Sequence, residues 1–450
     1  MDNIDLLISA KWILPIAPDN SVLENHALAI RAGRIVDLLP LKNAQESYYA
    51  EQYIELNDHV LMPGLVNAHT HTPMNLFRGL ADDLALMDWL KNHMWPAEQA
   101  IIDTESVNAG THLAIAEMLR GGTTCFNDHF FFHDEIAKLA VEAGMRACVG
   151  LIIINVPTKW APDENGYFER AIHTLEKNKK NSLISWSMAP HAPYTVSDKS
   201  LKKVKELSDH YQLPIHMHMH ETAAEIEQSM KEYGMRPLDR LNKLGLLSSR
   251  FIHVHATQLT NNEIKLIRDT NSHIVHCPES NLKLASGFSP IGKLLDAGVN
   301  VAIGTDSAAS NNDLDLFGEA KTAALIAKAV SANPTVLPAE EALAMITING
   351  AKAIGLEKEI GSLEAGKAAD IIAIDLSSYL TQPIYNPISH LIYALNRLQV
   401  SDVWVAGKQL LKQGKFTHLE LEALLHKAQY WSQKAAPFKA NVNVKKSEQV

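Results

Sequence analysis

The chain has 450 residues, 46% hydrophobic and 20% charged, a globular balance that excludes disordered, collagen-like and low-complexity classes. Its 41 Lys and Arg stand against 51 Asp and Glu, and the net charge of -10 repels nucleic-acid backbones and anionic membrane surfaces while suiting small neutral or cationic substrates. The acidic start Met1-Asp-Asn-Ile-Asp5 is unlike a signal peptide, the longest apolar stretch (Val149 to Ile154) is far too short to span a bilayer, and Cys125, Cys148 and Cys277 are too few and scattered for a disulfide framework. A cytoplasmic protein is therefore expected, with no membrane and no nucleic-acid partner.

Along the chain, residues 4–62 carry strand-like runs such as Ala27 to Val36, punctuated by Gly and Pro in the manner of hairpins. From residue 64 to about 305 eight short, β-branched-rich runs follow: Gly64 to Ala68, Thr123 to Asn127, Arg146 to Ile154, Leu183 to Ala189, Pro214 to Met219, Phe251 to His255, His273 to Cys277 and Asn300 to Thr305. Between several of them the apolar period becomes helical, as in Ile136/Leu139/Ala140/Ala143 before Gly144, Leu201/Val204/Leu207/Tyr211, and Ile291/Leu294/Leu295 before Gly298. Alternating strands and helices argue for parallel βαβ units. Eight such units, with no Gly-x-Gly-x-x-Gly turn after the first strand, predict an α/β chain built on a (β/α)8 TIM barrel over residues 64–357. The flanks, 1–63 and 358–418, are each too small for a generous core and are expected to share one small β-sandwich. Leu419 to Trp431 reads as a helix, and the Lys-rich end from Lys439 as a frayed tail, within a last segment 419–450.

The 21 histidines cluster at His69/His71, His216/His218/His220, His253/His255 and His273/His276. His69-Thr-His71 directly follows the first barrel strand, where the period of two sends both imidazoles to one side. An isolated His-x-His also occurs as a hydrogen-bonded surface pair, but functional groups of such barrels gather at the C-terminal ends of strands. His216-Met-His-Met-His220 ends the fifth strand, and alternation places its three imidazoles on one side. Apolar surroundings cannot easily hold three unpartnered imidazoles, although His216, the deepest, also fits a satisfied core histidine. Glu221, just beyond, suits an acid/base beside a metal. His255 ends the sixth strand and Asp306 the eighth. Alone each reads as structural, Asp306 as a helix cap. Together, histidines after strands one, five and six and an aspartate after strand eight point to one divalent ion at the barrel mouth, and Leu183 to Pro193 holds no lysine that could bridge a second.

The segments Pro63-Gly-Leu-Val-Asn-Ala-His-Thr-His71, Leu76-Phe-Arg-Gly-Leu-Ala-Asp-Asp83, Trp95-Pro-Ala-Glu98, His276-Cys-Pro-Glu-Ser-Asn281, Gly304-Thr-Asp306 and Gly361-Ser-Leu-Glu-Ala-Gly-Lys-Ala-Ala-Asp370 resemble the amidohydrolase superfamily across nearly the whole chain. Within it the chain is similar to the cytosine deaminase and triazine hydrolase branch, and most of all to the 5-methylthioadenosine/S-adenosylhomocysteine deaminases. The resemblance implies one Zn2+ per chain, with Fe2+ or another divalent ion as alternatives, held by His69, His71, His218 and Asp306. It implies Glu221 as proton shuttle, His255 as partner of the water or developing oxyanion, Asp306 as ligand and base, and Glu98, His191, Glu221 and Asp306 as nucleoside contacts. Some relatives grip a substrate carboxylate with an arginine after the third strand; Val156 to Tyr167 offers Lys159 and no Arg. The implied activity is hydrolytic deamination of 5'-methylthioadenosine and S-adenosylhomocysteine, with adenosine as a further substrate, in a homo-oligomer. Deamination of guanine, cytosine or a pterin, triazine chlorohydrolysis and a metal-free scaffold role remain the rival readings.

Overall fold

The computed structural model describes residues 1–177 and 181–440; the tail expected from Lys439 falls, from residue 441 onward, outside them. The N-terminal part contributes β1 (Asp2–Ile13), β2 (Leu23–Arg31), β3 (Arg34–Pro40) and β4 (Tyr48–Pro63). After Gly64 the barrel strands follow as β5 (Leu65–Thr70), β6 (Thr123–Asp128), β7 (Arg146–Ile153), β8 (Ile184–Pro190), β9 (Ile215–Met219), β10 (Phe251–His255), β11 (His273–His276) and β12 (Val301–Ile303). All eight runs expected from the sequence are present. They pair in parallel in chain order, with helices returning the chain between them. The ring closes through a parallel bridge between Thr70 and Asp306, where the Asp306 amide donates to the His69 carbonyl at 3.1 Å. The seam of the barrel thus runs through two of the candidate site segments.

Strands β13 (Ile371–Asp375), β14 (Val400–Val405), β15 (Lys408–Lys412) and β16 (Lys415–Phe416) join β1 to β4 in one mixed sheet, ordered β16-β15-β14-β13-β4-β1-β2-β3. Both chain ends therefore share it. The β4–β13 pairing, Pro63 opposite Ile371 to His59 opposite Asp375, stitches the two halves together. Leu6, Ile8, Leu28, Ile30 and Trp404 form one buried cluster of the sheet, while Leu7, Ala27 and Ala29 pack with Ala44 of helix Leu41–Ser47. Trp12, Met62, Ile372 and Val403 belong to the same continuous core as the barrel helices, so sheet and barrel bury apolar surface against each other. Helix Leu421–Ala435 buries Leu424, Trp431 and Ala435 and packs on helix Thr104–Arg120. Among the described residues no helix is long and apolar enough to cross a membrane.

One ion pair anchors the sheet to the barrel. Arg146, at the start of β7, donates from Nε to Asp370 Oδ2 at 2.8 Å and from a terminal nitrogen to Oδ1 at 3.1 Å, and Asp370 also accepts the Ala406 amide at 2.8 Å. Both side chains are buried. Removing one member of such a pair strands the other charge in a low-dielectric setting. Arg146→Ala is expected to cost about 3–5 kcal/mol of stability, read as a lower midpoint in denaturant-induced unfolding.

Candidate active site

The site sits where the period of two gives way to tight turns at the strand ends. His220, His255 and Asp306 follow β9, end β10 and follow β12, and all three adopt left-handed φ values of 53°, 73° and 57°. Such conformations are costly for non-glycine residues and persist where the surrounding structure imposes them, commonly at functional sites. Gly304, two residues before Asp306, is required by close approach: a Cβ there would lie 2.7 Å from His69 N and 2.8 Å from His69 O.

His69, His71, His218 and Asp306 converge, with one donor atom from each lying within 4.8 Å of all the others. Asp306 Oδ1 stands 3.3 Å from His69 Nε2 and 3.2 Å from His71 Nε2. Ligand atoms around a tetrahedral zinc, with bonds of about 2.0–2.1 Å, lie about 3.3 Å apart. The far nitrogens are tied back. His71 Nδ1 donates to the His129 carbonyl at 2.6 Å, His218 Nδ1 to the His191 carbonyl at 2.7 Å, and His69 Nδ1 pairs with His216 Nε2 at 2.9 Å. This is how metal-binding imidazoles are oriented, with the outer N–H spent on an acceptor and the inner lone pair left free. The buried Nε2 of His69 makes no hydrogen bond among the described residues and faces only the Asp306 carboxylate, the setting of a ligand atom for a cation. Asp306 Oδ2 is held by the hydroxyls of Ser280 and Ser310, each at 2.7 Å. The donor set fits a single divalent ion.

The charge states of three donors agree with ligation, while the Asp306 carboxylate raises the fourth, His71, against the lowering effect of burial. Burial pushes His69 down to about 3 and His218 well below the ordinary histidine range, so both are neutral and able to ligate. Burial would raise Asp306, but the two imidazoles facing it, His69 and His71, outweigh it and hold the carboxylate ionised.

Beside this cluster, Glu221 Oε2 lies 3.9 Å from His255 Nε2, and Glu221 Oε1 accepts the Ser286 hydroxyl at 3.2 Å. Burial raises the Glu221 carboxyl, with the nearby Asp306 charge adding to it. His255 Nδ1 meets Asn281 Oδ1 at 2.9 Å, which fixes the ring plane. Glu98 rides on helix Trp95–Ile101, and burial lifts its carboxyl to about 7 against the opposing pull of His71. His191 Nδ1 meets Thr195 Oγ1 at 2.9 Å, and burial lowers the ring to about 4. Its ring centroid is 5.0 Å from that of His218. Lys159 donates to the Ala100 carbonyl at 2.8 Å.

One histidine expectation changes, and three further histidines take places outside the ligand group. His220 leaves the face shared by His216 and His218, because its left-handed backbone swings the ring away; its Nε2 accepts the Leu238 amide at 3.1 Å and its Nδ1 lies 3.6 Å from Glu263. His216 is not a ligand of the His69/His71/His218/Asp306 group but the partner of His69. His253 pairs with Ser272 at 3.1 Å and His273 with Asn300 at 3.1 Å, away from the cluster.

The sequence reading also passed over residues that the structure places here. His129, buried just after β6, stacks on His218 with centroids 4.7 Å apart, and neither of its nitrogens has a partner among the described residues. Its H-x3-H spacing to His133 was the available clue in the sequence. Glu225 accepts the amides of His220 at 2.9 Å and Glu221 at 2.8 Å, so it shapes the turn that aims Glu221. Its Thr222-x-x-Glu225 spacing, a helix-start signature, was the available clue.

A family model described as the amidohydrolase family matches residues 60–410. A 5-methylthioadenosine/S-adenosylhomocysteine deaminase from Saccharophagus degradans is 45% identical over 430 residues, covering 96% of each chain. The crystal structure of an adenosine deaminase from Xanthomonas campestris with bound zinc superposes with a TM-score of 0.96 at 50% identity, covering 97% of this chain and 99% of that one. The zinc complex of an atrazine chlorohydrolase from Arthrobacter aurescens, 22% identical over 95% of this chain and 100% of its own, shares the fold with a TM-score of 0.86.

Proposed function

The chain belongs to the amidohydrolase family, and from that premise we propose that it is a zinc-dependent hydrolytic deaminase converting 5'-methylthioadenosine and S-adenosylhomocysteine to their inosine-type products with release of ammonia. One observation carries the reading: four metal-type donors converge at the barrel seam with a buried carboxyl, Glu221, whose proton affinity burial raises, beside them. The nucleoside assignment is supported by the relatives' names and by their coverage of nearly the whole chain. Zinc is supported by the three-imidazole, one-carboxylate donor set and by the zinc in the Xanthomonas campestris protein. The reading includes one ion per chain and a cytoplasmic homo-oligomer.

In this mechanism His69, His71, His218 and Asp306 would hold the ion, which supplies Lewis-acid activation of water at neutral pH. The water oxygen bonds to C6 of the adenine ring while the C6–N bond to the amino group breaks. One water proton ends on N1 and the other on the departing nitrogen, so the balance is nucleoside plus water to inosine-type product plus ammonia. Glu221 passes the proton to N1, and burial, by raising this carboxyl, suits it to carrying one. His255, fixed by Asn281, faces the oxygen that develops charge at C6. Asp306, kept ionised by its histidines and steadied by two serine hydroxyls, accepts the proton of the attacking water.

Glu98 and His191 are proposed to bind the nucleoside. An ionised carboxylate accepts hydroxyl hydrogen bonds far better than a neutral one. Because the Glu98 carboxyl sits at about 7, it is ionised above that pH and loses its charge as pH falls through it. The nucleoside KM is expected to rise as pH drops below 7, and Glu98→Gln should remove that limb of the KM profile and leave a uniformly higher KM.

The function is tested by following ammonia release from methylthioadenosine, S-adenosylhomocysteine, adenosine, guanine, cytosine and a chlorotriazine. Turnover of the thio-nucleosides is the expected result; turnover confined to a free base or to the triazine would overturn the substrate assignment.

A further inference from the structure

A second cavity, about 370 Å³ in volume, lies between helix Ile291–Asp296, helix Leu316–Ser331 and the loop 284–290. None of the four converging donors lines it. Its walls are largely apolar, with Phe288, Ile291, Ala323, Ala327 and Val336 among them. One polar ring interrupts them: His276, which is 4% exposed and whose Nδ1 is buried with no hydrogen-bond partner among the described residues. Asn281 Nδ2 and Ser289 Oγ, from two further lining residues, are also buried without partners. Buried polar groups are normally paired, and these three atoms offer hydrogen bonds to a molecule held in the cavity. Burial holds His276 at about 3, so the ring is neutral, and Lys293 and Asp296 on the wall cancel in charge. A neutral occupant suits such a wall. The volume is at the low end of the range of about 300–1,000 Å³ for small-molecule sites, enough for a fused bicyclic ring and small for a whole nucleoside.

The cavity shares its wall with the barrel mouth. Asn281 lines it while its Oδ1 holds His255 Nδ1 at 2.9 Å. Ser286, which donates to Glu221 at 3.2 Å, leads directly into Gly287, Phe288 and Ser289 of the wall. We propose that this cavity binds a neutral fused-ring heteroaromatic molecule and that its occupation moves Asn281 and Ser286, altering how His255 and Glu221 are held. Such a molecule regulates turnover from outside the mouth. Binding stands independently of the proposed deamination, whereas the effect on turnover rests on it.

The probe is benzimidazole, a flat neutral ring with one N–H donor and one nitrogen acceptor. It is titrated into the metal-loaded protein by calorimetry, and kcat and KM for methylthioadenosine are measured with and without it. One molecule bound per chain is expected, with kcat changed about five-fold or more, the lower range of ordinary allosteric coupling, and KM unaltered. Ala327→Phe, which fills the cavity, and Val330→Trp, which covers it from a half-exposed position, should keep basal kcat and KM and lose both the heat and the kcat effect. No heat of binding, binding that survives both substitutions, or inhibition relieved by excess nucleoside would each overturn the proposal. Heat lost in both variants without any nucleoside turnover in the wild type would retain the binding site and reject the deaminase reading instead.

Discussion

Glu221→Gln is expected to lower kcat by about 10²–10⁴-fold, the ordinary worth of a positioned proton carrier, while the protein keeps its full metal content. The substitution alters one atom. Glu225 still accepts the residue-221 amide at 2.8 Å, so the turn after β9 keeps its shape, and the Ser286 hydroxyl, now 3.2 Å from Oε1, can still donate to the amide oxygen. What disappears is the group proposed to carry the proton to N1. Metal content by elemental analysis and kcat by ammonia release, measured on the same sample, separate this outcome from collapse of the site. Unchanged turnover would remove Glu221 from the mechanism.

Asp306→Ala is expected to lower metal content well below one equivalent and activity by far more than about 100-fold, since loss of even an outer partner of a metal ligand costs about 10–100-fold. Asp306 Oδ1 supplies both of the short edges to His69 and His71, at 3.3 and 3.2 Å. Its loss also strands the Ser280 and Ser310 hydroxyls in a buried setting. The main-chain bridge that closes the barrel does not need the side chain, so the variant should fold. His69→Ala is the companion experiment. A full equivalent of metal in either variant would contradict the ligand set.

Much of this architecture was legible in the sequence because it depends on local period. The eight barrel runs matched the strands to within a few residues, and alternation correctly paired His69 with His71 and His216 with His218. Alternation failed at His220 because it assumes extended backbone, and a left-handed φ at a non-glycine residue is imposed by tertiary context. The contacts that orient the site were out of reach for a different reason. Asn281 meets His255 across 26 residues and Ser286 meets Glu221 across 65, with no periodic signal to announce either. The shared sheet was foreseen from the weakness of each flank, yet the parallel β1–β4 pairing was not, since β2, β3 and a helix intervene before the chain returns.

The central claim, that one metal ion held by His69, His71, His218 and Asp306 drives deamination of an adenine nucleoside, is tested most directly by titrating zinc into metal-stripped protein while following ammonia release from methylthioadenosine. The account predicts no turnover at the start, a linear rise and a sharp break at one equivalent of zinc per chain. Turnover in the stripped protein, or a break at two equivalents, would contradict it.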